Sequence, residues 1–213
     1  YQKLAAPFLF RTCYTILLPP KKFYENAINH LYQEELGEII TDDKNIYEEL
    51  QQLYAGNPDI LSKIRFYEND AISLGTLYSF ETQIQRAISE RVWMKSGAYL
   101  IIQPTEALTV IDVNSGKNTS GKNAEEYYYK INLEAAAEIS RQLRLRNISG
   151  IVIVDFINMA KEEQRKELMH QFRLSLKEDP VPVRLVDITK LGLVELTRKK
   201  ERKTLLEQVA QLR

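Results

Sequence analysis

Leu108-Thr109-Val110-Ile111-Asp112-Val113-Asn114-Ser115-Gly116, a helix-patterned stretch from Glu125 to Arg146, and Gly150-Ile151-Val152-Ile153-Val154-Asp155 decide the fold class. The outer two are apolar, β-prone runs, and each reaches an aspartate. The middle one repeats Tyr128, Ile131, Ala135, Ile139 and Leu143 at three- and four-residue intervals, the apolar stripe of a helix. Glu125 and Glu126 fall in its first turn and Arg144 and Arg146 in its last, as the helix dipole favours. The unbroken run from Ile151 to Val154 predicts a central strand buried on both faces. These elements make the chain α/β.

Working outward, Val92 to Met94, Ala98 to Gln103 and Leu108 to Val113 are short β-prone runs. Lys95-Ser96-Gly97 and Pro104-Thr105-Glu106 separate them, so they predict an antiparallel meander. Further back, a helix is expected from about Leu74 to Ser89, with Leu77, Ile84 and Ile88 inward. Strands are expected at residues 38–40 and 62–67, around a helix capped by Asp42 or Asp43 and striped by Ile46, Leu50 and Leu53. Gly56-Asn57-Pro58-Asp59 is a turn by its own chemistry. Phe23, Ala27 and Leu31 mark an earlier helix, and Pro19-Pro20 ends a β-leaning run over residues 4–18. Towards the other end, Leu168, Phe172 and Leu176 stripe a helix, Val181 to Val186 reads as a strand, and residues 198–212 read as a basic helix. The pattern changes near Arg91, which predicts two domains, residues 1–90 and 91–213.

The 213 residues suffice for a sizeable core, and 44% hydrophobic with 27% charged composition excludes general disorder. The single Cys13 excludes an internal disulfide and any Cys-based zinc site within the chain. No apolar run reaches the roughly 18 residues of a membrane span. Tyr1-Gln2-Lys3 resembles neither a natural start nor a secretory signal, which suggests an excised fragment. Net charge is zero, yet residues 1–95 hold 10 basic and 13 acidic groups and residues 96–213 hold 19 and 16. The basic groups cluster in Arg141-Gln142-Leu143-Arg144-Leu145-Arg146 and Arg198-Lys199-Lys200-Glu201-Arg202-Lys203, runs that equally suit a solvated helix face.

Chemistry concentrates at two strand ends. In open α/β sheets, functional groups gather where strands stop and loops open a crevice. Asp112 and Asp155 both stand there. Brought together by neighbouring strands, they would form a hard oxygen site for Mg²⁺, which takes one or two carboxylates and keeps waters. Asn114, two residues on, shares the side of Asp112 and can hold a carboxylate oxygen or a water. The competing reading is that such aspartates only cap loops and helices. Asp187 is a weaker third carboxylate. His30 and His170 lack partners at metal-ligand spacing, Cys13 lacks a catalytic context, and no phosphate-cradling glycine loop is present. Tyr127-Tyr128-Tyr129 suggests base stacking, although helical spacing turns at least one ring to the core.

Ile111-Asp112-Val113-Asn114-Ser115-Gly116, Asn132-Leu133-Glu134-Ala135-Ala136, Arg141 to Arg146, Gly150 to Ile157 with Met159, and Leu191-Gly192-Leu193-Val194-Glu195-Leu196-Thr197-Arg198 follow one another in order and spacing. This set resembles the catalytic region of the ribonuclease E/G family of bacterial endoribonucleases. The likeness is dense from about Gln103 to Arg198. It is looser back through Gly37-Glu38-Ile39-Ile40, Lys63-Ile64-Arg65-Phe66-Tyr67 and Glu81-Thr82-Gln83-Ile84.

The resemblance implies two packed subdomains. The first would be part of an RNase H-like region (a name for shape, not activity), and the second a DNase I-like, mixed-sheet catalytic subdomain. It also implies Mg²⁺-dependent cleavage of single-stranded, A/U-rich RNA to 5′-phosphate and 3′-hydroxyl products, with Mn²⁺ as a possible substitute, in RNA processing and decay in the bacterial cytoplasm. The metal-holding aspartates fall on Asp112 and Asp155 and the supporting asparagine on Asn114. Lys117, Arg141, Arg144 and Arg184 are candidate phosphate contacts. Zinc is expected only in a Cys-x-x-Cys link that would follow this region and join protomers. The chain alone is therefore expected to be monomeric or weakly dimeric and to cleave weakly or not at all, with a homo-oligomer formed by the full-length protein. The alternative is a non-catalytic RNA-binding scaffold fragment of the same fold.

Overall fold

A computed structural model describes residues 22, 24, 25, 28, 36–69, 71–116 and 124–211. The early run over residues 4–18, most of the helix marked by Phe23, Ala27 and Leu31, Cys13, His30 and Lys117 lie outside them. The chain divides into two units, residues 1–78 and 79–213.

In the first unit, β1 (Ile39–Thr41) and β2 (Ile64–Phe66) pair in parallel, with Ile39 opposite Ile64. Helices α1 (Lys44–Leu53) and α2 (Pro58–Leu61) lie between them in sequence. Asp43 starts α1 by accepting from the backbone N–H groups of Asn45 and Ile46 at 2.8 and 3.1 Å, which satisfies two of its free donors. Asn57 caps α2, where Pro58 fits the first turn. Ile28, Leu36, Leu50, Ile60 and Ile64 form the core of the unit. Of the expected α1 stripe, Leu50 is buried and Leu53 is exposed.

The helix expected from 74 to 89 is two helices, α3 (Leu74–Leu77) at the end of the first unit and α4 (Phe80–Ile88) in the second. Ser79 adopts φ 51°, a left-handed conformation that cannot continue a right-handed helix. Leu77 and Ile84, expected inward, are exposed.

The second unit is one six-stranded mixed sheet with helices on one face. Its strands are β3 (Arg91–Trp93), β4 (Tyr99–Pro104), β5 (Leu108–Asn114), β6 (Gly150–Asp155), β7 (Val183–Ile188) and β8 (Val194–Arg198), in the spatial order β3-β4-β5-β6-β8-β7. β3, β4 and β5 form the expected meander. Helix α5 (Ala124–Leu145) carries the chain back so that β6 runs parallel to β5. Helix α6 (Glu162–Leu176) follows β6. Ile131, Ala135, Ile139 and Leu143 of α5 and Leu168, Phe172 and Leu176 of α6 pack on Leu100, Ile102, Ile111, Val152, Val154 and Leu196.

Two expectations change here. β6 is central in the sheet, yet only Val152 and Val154 are fully buried, and Ile151 is exposed. Among the described residues of this unit the helices cover one face of the sheet, so successive residues of β6 alternate between core and open face. The basic helix expected at 198–212 is shorter, α7 (Leu205–Gln211), because Arg198 closes β8. Thr204 and Glu207 form a reciprocal capping box, Glu207 N–H to Thr204 Oγ1 at 3.2 Å and Thr204 N–H to Glu207 Oε2 at 2.7 Å. Strand β8 had no counterpart among the expected elements.

Candidate carboxylate site

Alternation along β5 puts Ile111 and Val113 in the core and Asp112 on the open face. Along β6 it does the same for Val154 and Asp155. The parallel register then sets Asp112 directly opposite Asp155, about 4.8 Å away across the ladder. Both side chains are exposed at the carboxyl ends of adjacent parallel strands, where α5 and α6 begin.

Asn114 shares that face. Its Nδ2 donates to Asp112 Oδ2 at 2.7 Å, which fixes the carboxylate's rotamer. Asp155 is steadied from behind. Asn132 of α5, wholly buried, donates to the carbonyl of Ile157 at 2.7 Å and accepts from its N–H at 3.0 Å. Phe156, between them, packs edge-on to Phe172 with ring centroids 5.8 Å apart. Lys161, just before α6, pairs with Glu125 in the first turn of α5 at 3.1 Å.

Two exposed carboxylates on rigid strands are hard oxygen donors. They fit a small divalent cation that keeps most of its water, the preference of Mg²⁺. Among the described residues no cluster of three or more His, Cys, Asp or Glu converges on a metal position. Asp187 therefore adds no third carboxylate, and it accepts from the N–H of Ile188 at 2.8 Å instead.

The candidate phosphate contacts scatter. Arg141 and Arg144 lie in the last turns of α5, about 25 Å along the helix from its start. Arg141 grips Glu138 through two bonds of 2.9 and 2.7 Å, and Arg144 faces Glu178 at 3.6 Å. Neither joins the carboxylates. Arg184, opposite Thr197 on the far edge pair, shares their open face but stands nearer the other end of the strands. Tyr127 and Tyr129 pack against the core. Of the basic run at 198, Arg198 is structural. It is buried and pairs with Asp179 at 2.8 and 3.1 Å while donating to Asn147 and the Ile148 carbonyl.

Spacing alone missed Asn132, although a polar residue beside Ile131 on the core face of an apolar helix was a visible signal. Gly116 was quoted for its motif and has a steric role. At φ 70°, a Cβ there would overlap the carbonyl oxygen of Gly97 in the β3–β4 turn.

The ribonuclease E/G family profile matches residues 5–201. The chain is 39% identical over 181 residues to ribonuclease G of Salmonella typhimurium, covering 84% of this chain and 37% of that protein. It is 34% identical over 197 residues to ribonuclease E of Escherichia coli, covering 92% of this chain and 18% of that one. With ribonuclease E of Synechocystis the identity is 37% over 194 residues, 89% of this chain and 28% of that protein. The chain thus spans little more than a third, or less, of these relatives.

Proposed function

The chain belongs to the ribonuclease E/G family, and we propose that it is the catalytic region of a Mg²⁺-dependent endoribonuclease of the bacterial cytoplasm. In this reading the substrate is single-stranded, A/U-rich RNA, and the products carry 5′-phosphate and 3′-hydroxyl ends. The observation that carries it is the register pairing of Asp112 with Asp155, with Asn114 bonded to the first. The six-stranded unit is assigned as the DNase I-like subdomain and the small parallel unit as part of the RNase H-like one.

The protein's own residues have distinct roles. Asp112 and Asp155 present oxygens from rigid strands, so little ordering remains when a cation and a phosphate arrive. Asn114 occupies Asp112 Oδ2 and, among the described residues, leaves the other oxygen available. Asn132 holds the backbone beyond Asp155. A bound Mg²⁺ would polarise the scissile phosphate and acidify a coordinated water. Cation binding also removes the repulsion that two bare carboxylates exert on RNA.

The test is a Mn²⁺ titration of the chain, followed by paramagnetic line broadening, beside Asp112→Asn and Asp155→Asn. Saturable binding lost in both variants supports the shared site, and binding unchanged in both overturns it. In the full-length protein, Asp112→Asn should abolish cleavage of an end-labelled A/U-rich RNA while the circular dichroism spectrum is kept. A scaffold that only binds RNA would have no cleavage to lose.

A further inference from the structure

The open face of the sheet continues past the carboxylates. Asn114 lies opposite Tyr99 on β4, and Tyr99 lies opposite Trp93 on the edge strand β3. Directly opposite residues on adjacent strands point to the same side, so Asn114, Tyr99 and Trp93 form one row. The neighbouring row is Asp155, Asp112, Ile101 and Arg91.

The rings of Trp93 and Tyr99 stand 5.1 Å apart at 57°. The Arg91 guanidinium sits 4.6 Å from the Tyr99 ring centre and 5.6 Å from that of Trp93. Trp93 is 63% exposed, so the core does not explain it. Among the described residues, no carboxylate pairs with Arg91, and its side chain is exposed.

We infer that Trp93, Tyr99 and Arg91 form a stacking platform for an unpaired base of single-stranded RNA next to the phosphate that a cation on Asp112 and Asp155 would hold. The exposed Trp93 ring, backed by the half-buried Tyr99 and standing beside a cation that no described carboxylate pairs, meets both requirements of single-strand binding, a flat surface for a base and a charge for its phosphate. A duplex hides its base faces and cannot use it. The platform adjoins the carboxylates through Asn114, so a chain crossing the sheet reaches both. Stacking is sequence-tolerant, so the platform demands an unpaired base and leaves base identity open. The inference rests on the nuclease reading for its polynucleotide.

Trp93 is the only tryptophan in the chain, so its own fluorescence reports the contact. The 213-residue chain is titrated in Mg²⁺ with a phosphorothioate-linked, A/U-rich ten-nucleotide RNA. Parallel anisotropy of a dye-labelled copy measures binding by Trp93→Ala, Trp93→Phe and Tyr99→Ala. The expected result is saturable quenching by the single strand and none by the duplex. Trp93→Ala should bind about ten- to a hundredfold more weakly, and Trp93→Phe should recover most of the loss. Binding without quenching, no binding at all, equal binding of the duplex, or unchanged affinity in Trp93→Ala overturns the platform. Mn²⁺ binding by the same samples separates the two ideas. Metal bound at Asp112 and Asp155 without a fluorescence response sinks the platform alone. Quenching with no metal dependence on either aspartate sinks the nuclease reading alone.

Discussion

The side-chain amide of Asn132 closes two hydrogen bonds on the backbone of Ile157, one to its carbonyl at 2.7 Å and one from its N–H at 3.0 Å. A helix residue thereby acts as one more rung of the ladder just past the end of β6. Asp155 ends that strand, so its direction depends on this clamp. Asn132→Leu keeps the volume and leaves both part-buried backbone groups without this partner. A loss of about 2–3 kcal/mol is expected, read as a lower urea midpoint with an unchanged m-value. Mn²⁺ affinity should weaken in the variant that remains folded.

Gly116 and Gly97 differ in a way that substitution can resolve. Both have positive φ, 70° and 85°, but only Gly116 has a neighbour within reach of an added Cβ. Gly97→Ala should cost about 1–2 kcal/mol for conformation alone. Gly116→Ala must also push the β3–β4 turn away from the end of β5. Thermal unfolding should therefore place Gly116→Ala below Gly97→Ala.

Arg198 and Asp179 are paired with side chains 3% and 1% exposed. Removing one partner leaves the other charge buried, at a cost of about 3–5 kcal/mol. Asp179→Asn is expected in that range by chemical denaturation. Arg198→Lys should lose most of the same energy, since an ammonium cannot reach Asp179, Asn147 and Ile148 together as the guanidinium fork does.

Glu138 gives the fold an acid-sensitive element. Burial pushes its carboxyl up, but hydrogen bonds from Arg141 and Gln142 outweigh that and hold it below the usual range. A depressed folded pKa means that its contribution is present above the ordinary glutamate value of about 4.3. It is lost as pH falls through the lower folded value. Glu138→Gln should flatten the acid limb of the stability–pH curve below about pH 4.3 and leave that limb's shape near neutrality unchanged.

Asn114 holds one oxygen of Asp112 without carrying charge itself. Asn114→Ala in the full-length protein should lower metal affinity or cleavage about ten- to a hundredfold. Stability should stay nearly unchanged, because the side chain lies on the open face. A drop in melting temperature as large as that of Asn132→Leu would show that Asn114 serves the fold instead.

The elements legible in the sequence were those whose signal is local. The α5 stripe, the α6 stripe and the β3–β5 meander follow from which residues lie within four positions of each other. The helices bury Ile131, Ala135, Ile139 and Leu143 of the first stripe and all of the second, whereas Tyr128, expected in the α5 stripe, is only half-buried and Tyr127 and Tyr129 pack on the core in its place. Asp43 was legible for the same reason, since a cap acts on donors two and three residues ahead. The break at Ser79 was not, because a serine carries no obligatory left-handed signal. Strand β8 was hidden by its pairing. It inserts between β6 and β7, antiparallel to both, through contacts with residues far away in sequence.

At the site, the sequence by itself determined that Asp112 and Asp155 end apolar strands and that Asn114 shares the side of Asp112, since strand alternation is a two-residue rule. The tertiary structure alone decided that β5 and β6 are neighbours, and in a register that sets the two aspartates opposite each other. It also decided that Arg141 and Arg144 sit at the far end of α5 and that Trp93, Tyr99 and Asn114 line up across three strands. Register is fixed by how buried faces pack over long loops, and a one-residue slip would turn every side chain to the other face. No local spacing encodes that choice.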